Sequence, residues 1–202
     1  KKQQQMTVTG PTVHPLDQLS ADELTRAAMI FRETSKVSDQ AYFACAIPVE
    51  PLKAVVLDLE PDTRFDRAVR LVGHDPKKRR SFEAIVSLTD GALTSFGWAS
   101  AGQAPVGVAD IKAVYDALYK HPEWIEALQQ RGIEDPSKVH VDPWVTPFQP
   151  EGMSPQGRIL CGIAFVHEDI ADNHYARPVE GLLAYVDTDT GEVVVEDHGV
   201  VP

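Results

Sequence analysis

The sequence predicts an α+β protein made of two consecutive domains, each a helix packed on an antiparallel sheet. Two observations carry this. A helical pattern followed by several strand patterns occurs twice along the chain. The charge balance also breaks at the middle: residues 1–100 hold 13 acidic and 13 basic groups, residues 101–202 hold 17 and 6. The break falls at the small-residue stretch Ala99-Ser100-Ala101-Gly102-Gln103-Ala104-Pro105, the composition expected of a domain boundary. At 202 residues and 43% hydrophobic composition the chain can fill two cores. Residues 1–13 are expected to be a tail, 14–101 the first domain and 102–202 the second.

Ser20-Ala21-Asp22-Glu23 is a capping box, in which a hydroxyl and a carboxylate satisfy helix-start amides. Leu24, Ala27, Ala28, Ile30 and Phe31 then give one apolar face, fading near Val37. Strands are expected at Tyr42–Val49, Ala54–Leu59, Phe65–Val72, Ser81–Leu88 and Ala92–Trp98, with Asp90-Gly91 supplying a hairpin turn. The basic run Lys77-Lys78-Arg79-Arg80 follows the turn signal Gly73-His74-Asp75-Pro76 and reads as a solvated hairpin tip.

In the second half Asp110 is expected to cap a helix carrying Ile111, Val114, Tyr115, Leu118 and Tyr119, which Pro122 stops. A second helical segment runs from Glu123 to Arg131 and ends at Gly132. Strands return at Lys138–Val141, Arg158–Val166, Gly181–Asp187 and Glu192–Val195, the last two joined through Thr188-Asp189-Thr190-Gly191. The segment holding Pro143, Pro147, Pro150 and Pro155 reads as a long loop between strands.

A formal charge of −11 is the wrong sign for neutralising nucleic-acid phosphates or anionic membrane surfaces. No apolar run nears the roughly 20 residues of a membrane span. A cytoplasmic protein is expected, with no nucleic acid and no membrane among its partners. Cys45 and Cys161 are too few for a disulfide scaffold and are expected to be reduced and buried in strands.

None of the seven histidines lies two residues from another. His167-Glu168 opens like a zinc-protease motif, but Ala171 stands where the second histidine is due. No nucleophile elbow, phosphate loop or dinucleotide fingerprint occurs. Cys45, in an alternating apolar run, reads as a small core residue rather than a nucleophile.

Several segments resemble the N-terminal region of copper-containing (topaquinone) primary amine oxidases. They are Val139-His140-Val141-Asp142-Pro143-Trp144, Arg158 through Val166, Tyr175-Ala176-Arg177-Pro178-Val179-Glu180-Gly181, and Val195-Glu196-Asp197-His198-Gly199-Val200. His14-Pro15-Leu16-Asp17 and the stretch around Glu50-Pro51-Leu52-Lys53 look like the start of the same region. The resemblance implies two cystatin-like α+β domains. It also implies a parent activity, oxidation of primary amines to aldehyde, ammonia and hydrogen peroxide, with copper and topaquinone in a catalytic domain that follows these two.

That domain's motifs are missing. The quinone motif Asn-Tyr-Asp/Glu-Tyr needs an asparagine before tyrosine, and Asn173, the only asparagine, is followed by His174 and Tyr175. No His-x-His pair starts a copper site. The chain is therefore expected to have no catalytic, cofactor-binding or metal residues, to be inactive alone, and to act as an accessory region. Its partner would be the catalytic domain, in a homodimer when full-length. The resemblance places Ile111, Trp144 and Tyr175 along the channel by which amine reaches the quinone. Arg177 and Glu180 are expected to pair structurally. The alternative is a free-standing cystatin-like binding module without activity; an exposed apolar patch on the second sheet would favour the accessory region, and a wholly polar surface the module.

Overall fold

The computed structural model describes residues 14–60, 63 and 65–200. The expected tail, residues 1–13, lies outside them. The architecture is α+β, with helices and two four-stranded antiparallel sheets. The described residues form two compact units, one from residues 14–36, 45–60, 63, 65–72 and 83–97, the other from 37–44, 73–82 and 98–200.

In the first unit, α1 (Ala21–Glu33) starts as expected. The Glu23 amide donates to Ser20 Oγ at 3.2 Å and the Ser20 amide to Glu23 Oε2 at 2.8 Å. Glu23 also accepts from Arg67 Nε at 2.8 Å, and chiefly this bond holds its carboxyl below the ordinary range. Arg67 donates as well to the carbonyls of Pro15, Asp17 and Gln18, fixing the chain that enters the helix. Ala27 and Phe31 are the buried helix residues, and Phe31 meets Phe96 at 6.1 Å between ring centroids.

The first sheet runs β1 (Tyr42–Pro48), β2 (Ala68–Asp75), β3 (Arg80–Ser87), β4 (Ala92–Trp98) in that spatial order. The strand expected at Ala54–Leu59 is instead the short helix α2 (Lys53–Leu57). A short apolar run without alternation does not distinguish the two. Leu52 enters extended, at φ −59° and ψ 141°, as the N-cap of α2, and Val55 and Leu57 are exposed. Cys45 is half-buried, not a core residue. Lys77 to Arg79 do form the β2–β3 turn, but only part of it is solvated: Arg79, at φ 51°, donates through Nη2 to the buried Asp187 at 2.6 Å.

The second unit contains α3 (Val108–Leu118), α4 (Pro122–Gln130) and the sheet β5 (Val139–Val145), β6 (Ile159–Val166), β7 (Pro178–Asp187), β8 (Val193–Asp197), again in sequence order. Gly107, not Asp110, is the N-cap of α3; Asp110 sits three residues in and reaches back to accept the Gly107 amide at 2.8 Å. Pro122 opens α4 as its first residue rather than merely ending α3. β5 is longer than expected and includes Pro143, tolerated because β5 is an edge strand.

Alternation divides this sheet into two faces. Val139, Val141, Leu160, Ala164, Leu182, Ala184 and Val186 form the inner face and are buried with Val114, Leu118, Trp124 and Leu128 of the helices. The helix sits so close over Gly162 that a Cβ there would lie 2.9 Å from Val141 Cγ1 and 3.0 Å from Leu118 Cδ1. Only glycine fits that approach without displacement.

One buried polar network anchors the start of α3. Arg158, 2% exposed, donates Nε to Asp110 Oδ1 at 2.6 Å and Nη2 to Asp110 Oδ2 at 2.9 Å. It also donates to the carbonyls of Ala104 and Pro105. Tyr42 and Thr188 hydroxyls donate to Asp110 Oδ1. Burial pushes the Asp110 carboxyl up, but the Arg158, Tyr42 and Gly107 donors outweigh it and hold it below the usual carboxylate range.

Candidate functional site on the outer face of the second sheet

The other set of alternating residues builds the outer face. Register places Trp144 opposite Cys161, Asp142 opposite Ile163 and His140 opposite Phe165 on β5 and β6. The rows continue to Tyr185 and Leu183 on β7 and to Val194 and Glu196 on β8. The proline-bearing segment after β5 folds back over the β7 and β8 side. Phe148 meets Tyr185 edge-on at 6.0 Å, and Gly152 lies against Val194. Tyr185 is therefore buried although it points away from the helices, and its hydroxyl is pushed up to about 12, chiefly by burial. Cys161 is likewise pushed up to about 11 by burial, which leaves a protonated, unreactive thiol.

The β5 side of the face stays open. Trp144 is 58% exposed, and its indole N–H donates to Asp142 Oδ2 at 2.8 Å. Tyr175, 54% exposed, stands in the connection between β6 and β7, edge-on to His140 at 5.1 Å and to Phe165 at 5.2 Å. It thus shares the face that carries Trp144. Ile170 in the β6–β7 connection is also exposed, as are Phe148 of the covering segment and Val145, which pairs with Leu160 and so points to the other face.

Ile111 joins this edge from α3. The Tyr119 hydroxyl donates to the Val139 carbonyl at 2.5 Å and that of Tyr115 to the Val141 carbonyl at 2.7 Å. Helix and strand therefore run in opposite directions. One further turn back along the same row brings Ile111, 38% exposed, level with Pro143–Val145. All three residues singled out in the sequence thus border the β5 edge, Trp144 and Tyr175 on the outer face and Ile111 on the flanking helix.

Sequence reasoning missed His140, His167 and His174, whose rings meet beside Tyr175, and Asp142, which orients the Trp144 indole. The i, i+2, i+4 spacing of His140, Asp142 and Trp144 was the available signal for the shared face. Arg177 does not pair with Glu180; its guanidinium lies 3.8 Å from Glu168 and 3.9 Å from Asp172. The reason is the turn at the β6–β7 connection, which draws Arg177 toward residues 168–172 while Glu180 projects outward from β7.

The described side chains do not fit copper. Among the described residues no group of three His, Cys, Asp or Glu could hold a metal ion. The His167 and His174 rings lie face to face at 4.2 Å and 13°, so their nitrogens do not converge on a point. Tyr175, the tyrosine nearest the family's quinone motif, follows His174 rather than asparagine. Among the described residues no helix is long and apolar enough to cross a membrane.

Residues 20–96 match the family described as the AGAO-like N2 domain. Over 94% of its length the chain is 32% identical to a histamine oxidase of Arthrobacter globiformis and 31% identical to a primary amine oxidase of Arthrobacter sp. (strain P1). It spans only 28% and 29% of those two proteins. A copper-containing benzylamine oxidase from Hansenula polymorpha has the same fold, with a TM-score of 0.73 at 16% identity over 92% of this chain and 30% of that one.

Proposed function

We propose, for a chain that belongs to the copper-containing amine oxidase family through its N-terminal-type domains, that it is the accessory region of a primary amine oxidase. In this reading the β5 edge and outer face of the second sheet pack on the catalytic domain of the longer protein. The observation that carries the reading is the open half of that face. Trp144 and Tyr175 are more exposed than packing residues should be, beside a proline-bearing segment that covers the rest.

Ile111, Trp144 and Tyr175 would line the route of the amine. Rigid aromatics offer contact area with few rotors to freeze, so they can select among amine side chains. Asp142, accepting the indole N–H, holds Trp144 in one orientation. Copper and topaquinone, which supply the redox chemistry in the family, would reside in the catalytic domain, and the full-length enzyme would be a homodimer. The two unpaired cysteines suit a reducing, cytoplasmic setting.

The test is the intact mass of the native polypeptide together with a quinone-specific redox stain. A mass far above 22.2 kDa with a positive stain is expected; 22.2 kDa with no stain would remove the accessory-region reading. No stoichiometric copper is expected on residues 1–202, and one tightly bound copper per chain by elemental analysis would overturn that.

A further inference from the structure

Three imidazoles from distant sequence positions meet at the base of the loop that carries Tyr175. His140 comes from β5, His167 follows β6, and His174 immediately precedes Tyr175. His174 meets both others, stacked on His167 at 4.2 Å and tilted against His140 at 5.5 Å. Tyr175 in turn rests on His140 and Phe165.

The hydrogen bonds fit a neutral His140. The Tyr115 hydroxyl gives its proton to the Val141 carbonyl, so at 3.1 Å it accepts from Nδ1–H of His140. His140 Nε2 is then the bare nitrogen, and it is buried with no partner. His174 Nε2 lies 3.2 Å from the Ile170 carbonyl, an acceptor only, so Nε2 carries a proton. His167 Nδ1 is also buried without a partner. A proton added to His140 Nε2 or His167 Nδ1 would have no acceptor and would set a cation against a neighbouring ring.

The charged groups around the cluster are mixed. Asp142 on β5 and Glu168, Asp169 and Asp172 in the loop favour protonation. Arg177, paired to Glu168 and Asp172, and Lys138, 3.6 Å from Glu168, offset it. Burial, His174 and His167 together lower the His140 pKa against the pull of Asp142. A histidine with a lowered folded pKa contributes stability above its ordinary value near 6.5, and that contribution is lost as pH falls through the folded value.

We propose that His140, His167 and His174 are positioning residues forming a proton-sensitive latch, which when neutral holds the loop of residues 167–177, and with it Tyr175, against the sheet and when protonated releases it. The latch stands on this cluster alone; only its consequence, acid-dependent amine entry, rests on the channel reading above.

The test is an NMR titration of the 202-residue chain between pH 5 and 8, following imidazole Cε1–H shifts and amide relaxation of residues 168–176. The latch predicts that His140 titrates below its ordinary value and that loop order is lost in the same pH window. His174→Phe, which keeps a stacked ring but cannot titrate, should reduce the pH-dependent loop transition at least several-fold, and His167→Phe should act alike. Independent titration of three ordinary histidines with an unchanged loop would overturn it, as would a transition that persists in both variants. If Tyr175→Ala leaves kcat/KM of the quinone-bearing protein unchanged while the NMR transition is present, the latch is supported and the channel reading is lost.

Discussion

The two faces of the second sheet are made by the same strands, yet they solve different problems. The inner face is closed by α3 and α4 and is apolar wherever it meets them, down to a glycine at the point of closest approach. The outer face is closed only over β7 and β8, and beside β5 it leaves Trp144 and Tyr175 open to solvent. Burial that stabilises the fold is concentrated on one side, so residues on the other are free to serve contact with something else.

That contrast can be broken by substitution, and the largest effect is expected at Arg158. Arg158→Ala strands the Asp110 carboxylate in a buried site and should cost about 3–5 kcal/mol in urea unfolding. Next comes Leu118→Ala, which opens a cavity against Gly162 and Val141 and should cost about 2–5 kcal/mol. If either loss is below about 1 kcal/mol, the inner face is not the stabilising one.

Much of this fold was legible because its signals are local. The Ser20–Glu23 box, the Asp90-Gly91 turn and the Thr190-Gly191 turn each act within four residues, and each stands where the sequence put it. Asp110 was legible as a helix-start residue but not as the partner of Arg158, 48 residues away, because no periodicity connects them. α2 was misread because the four apolar residues Ala54–Leu57 without alternation carry neither period. The histidine cluster was invisible for a related reason: His140 and His174 meet only through the β5–β6 register and the return of the following loop.

Acid sharpens the comparison further. Asp110 and Asp197 both have lowered pKa values, Asp197 to about 2 chiefly through its bond with Arg131. Their contribution is complete above the ordinary carboxylate value near 3.9 and is lost as pH falls toward the folded values. Thermal unfolding should therefore weaken steeply below pH 4, and Asp197→Asn should flatten that slope. The smallest stability effect is expected on the open face, where Trp144→Ala should change unfolding free energy by no more than about 0.5 kcal/mol.

The central claim is that this open face serves substrate access in an amine oxidase, and kcat/KM of the quinone-containing native protein tests it most directly. Trp144→Ala and Tyr175→Ala should each change the ratio of kcat/KM between a bulky and a small primary amine by about tenfold, roughly the 1–3 kcal/mol of an altered pocket contact, with quinone content unchanged. An unchanged ratio in both variants would contradict it.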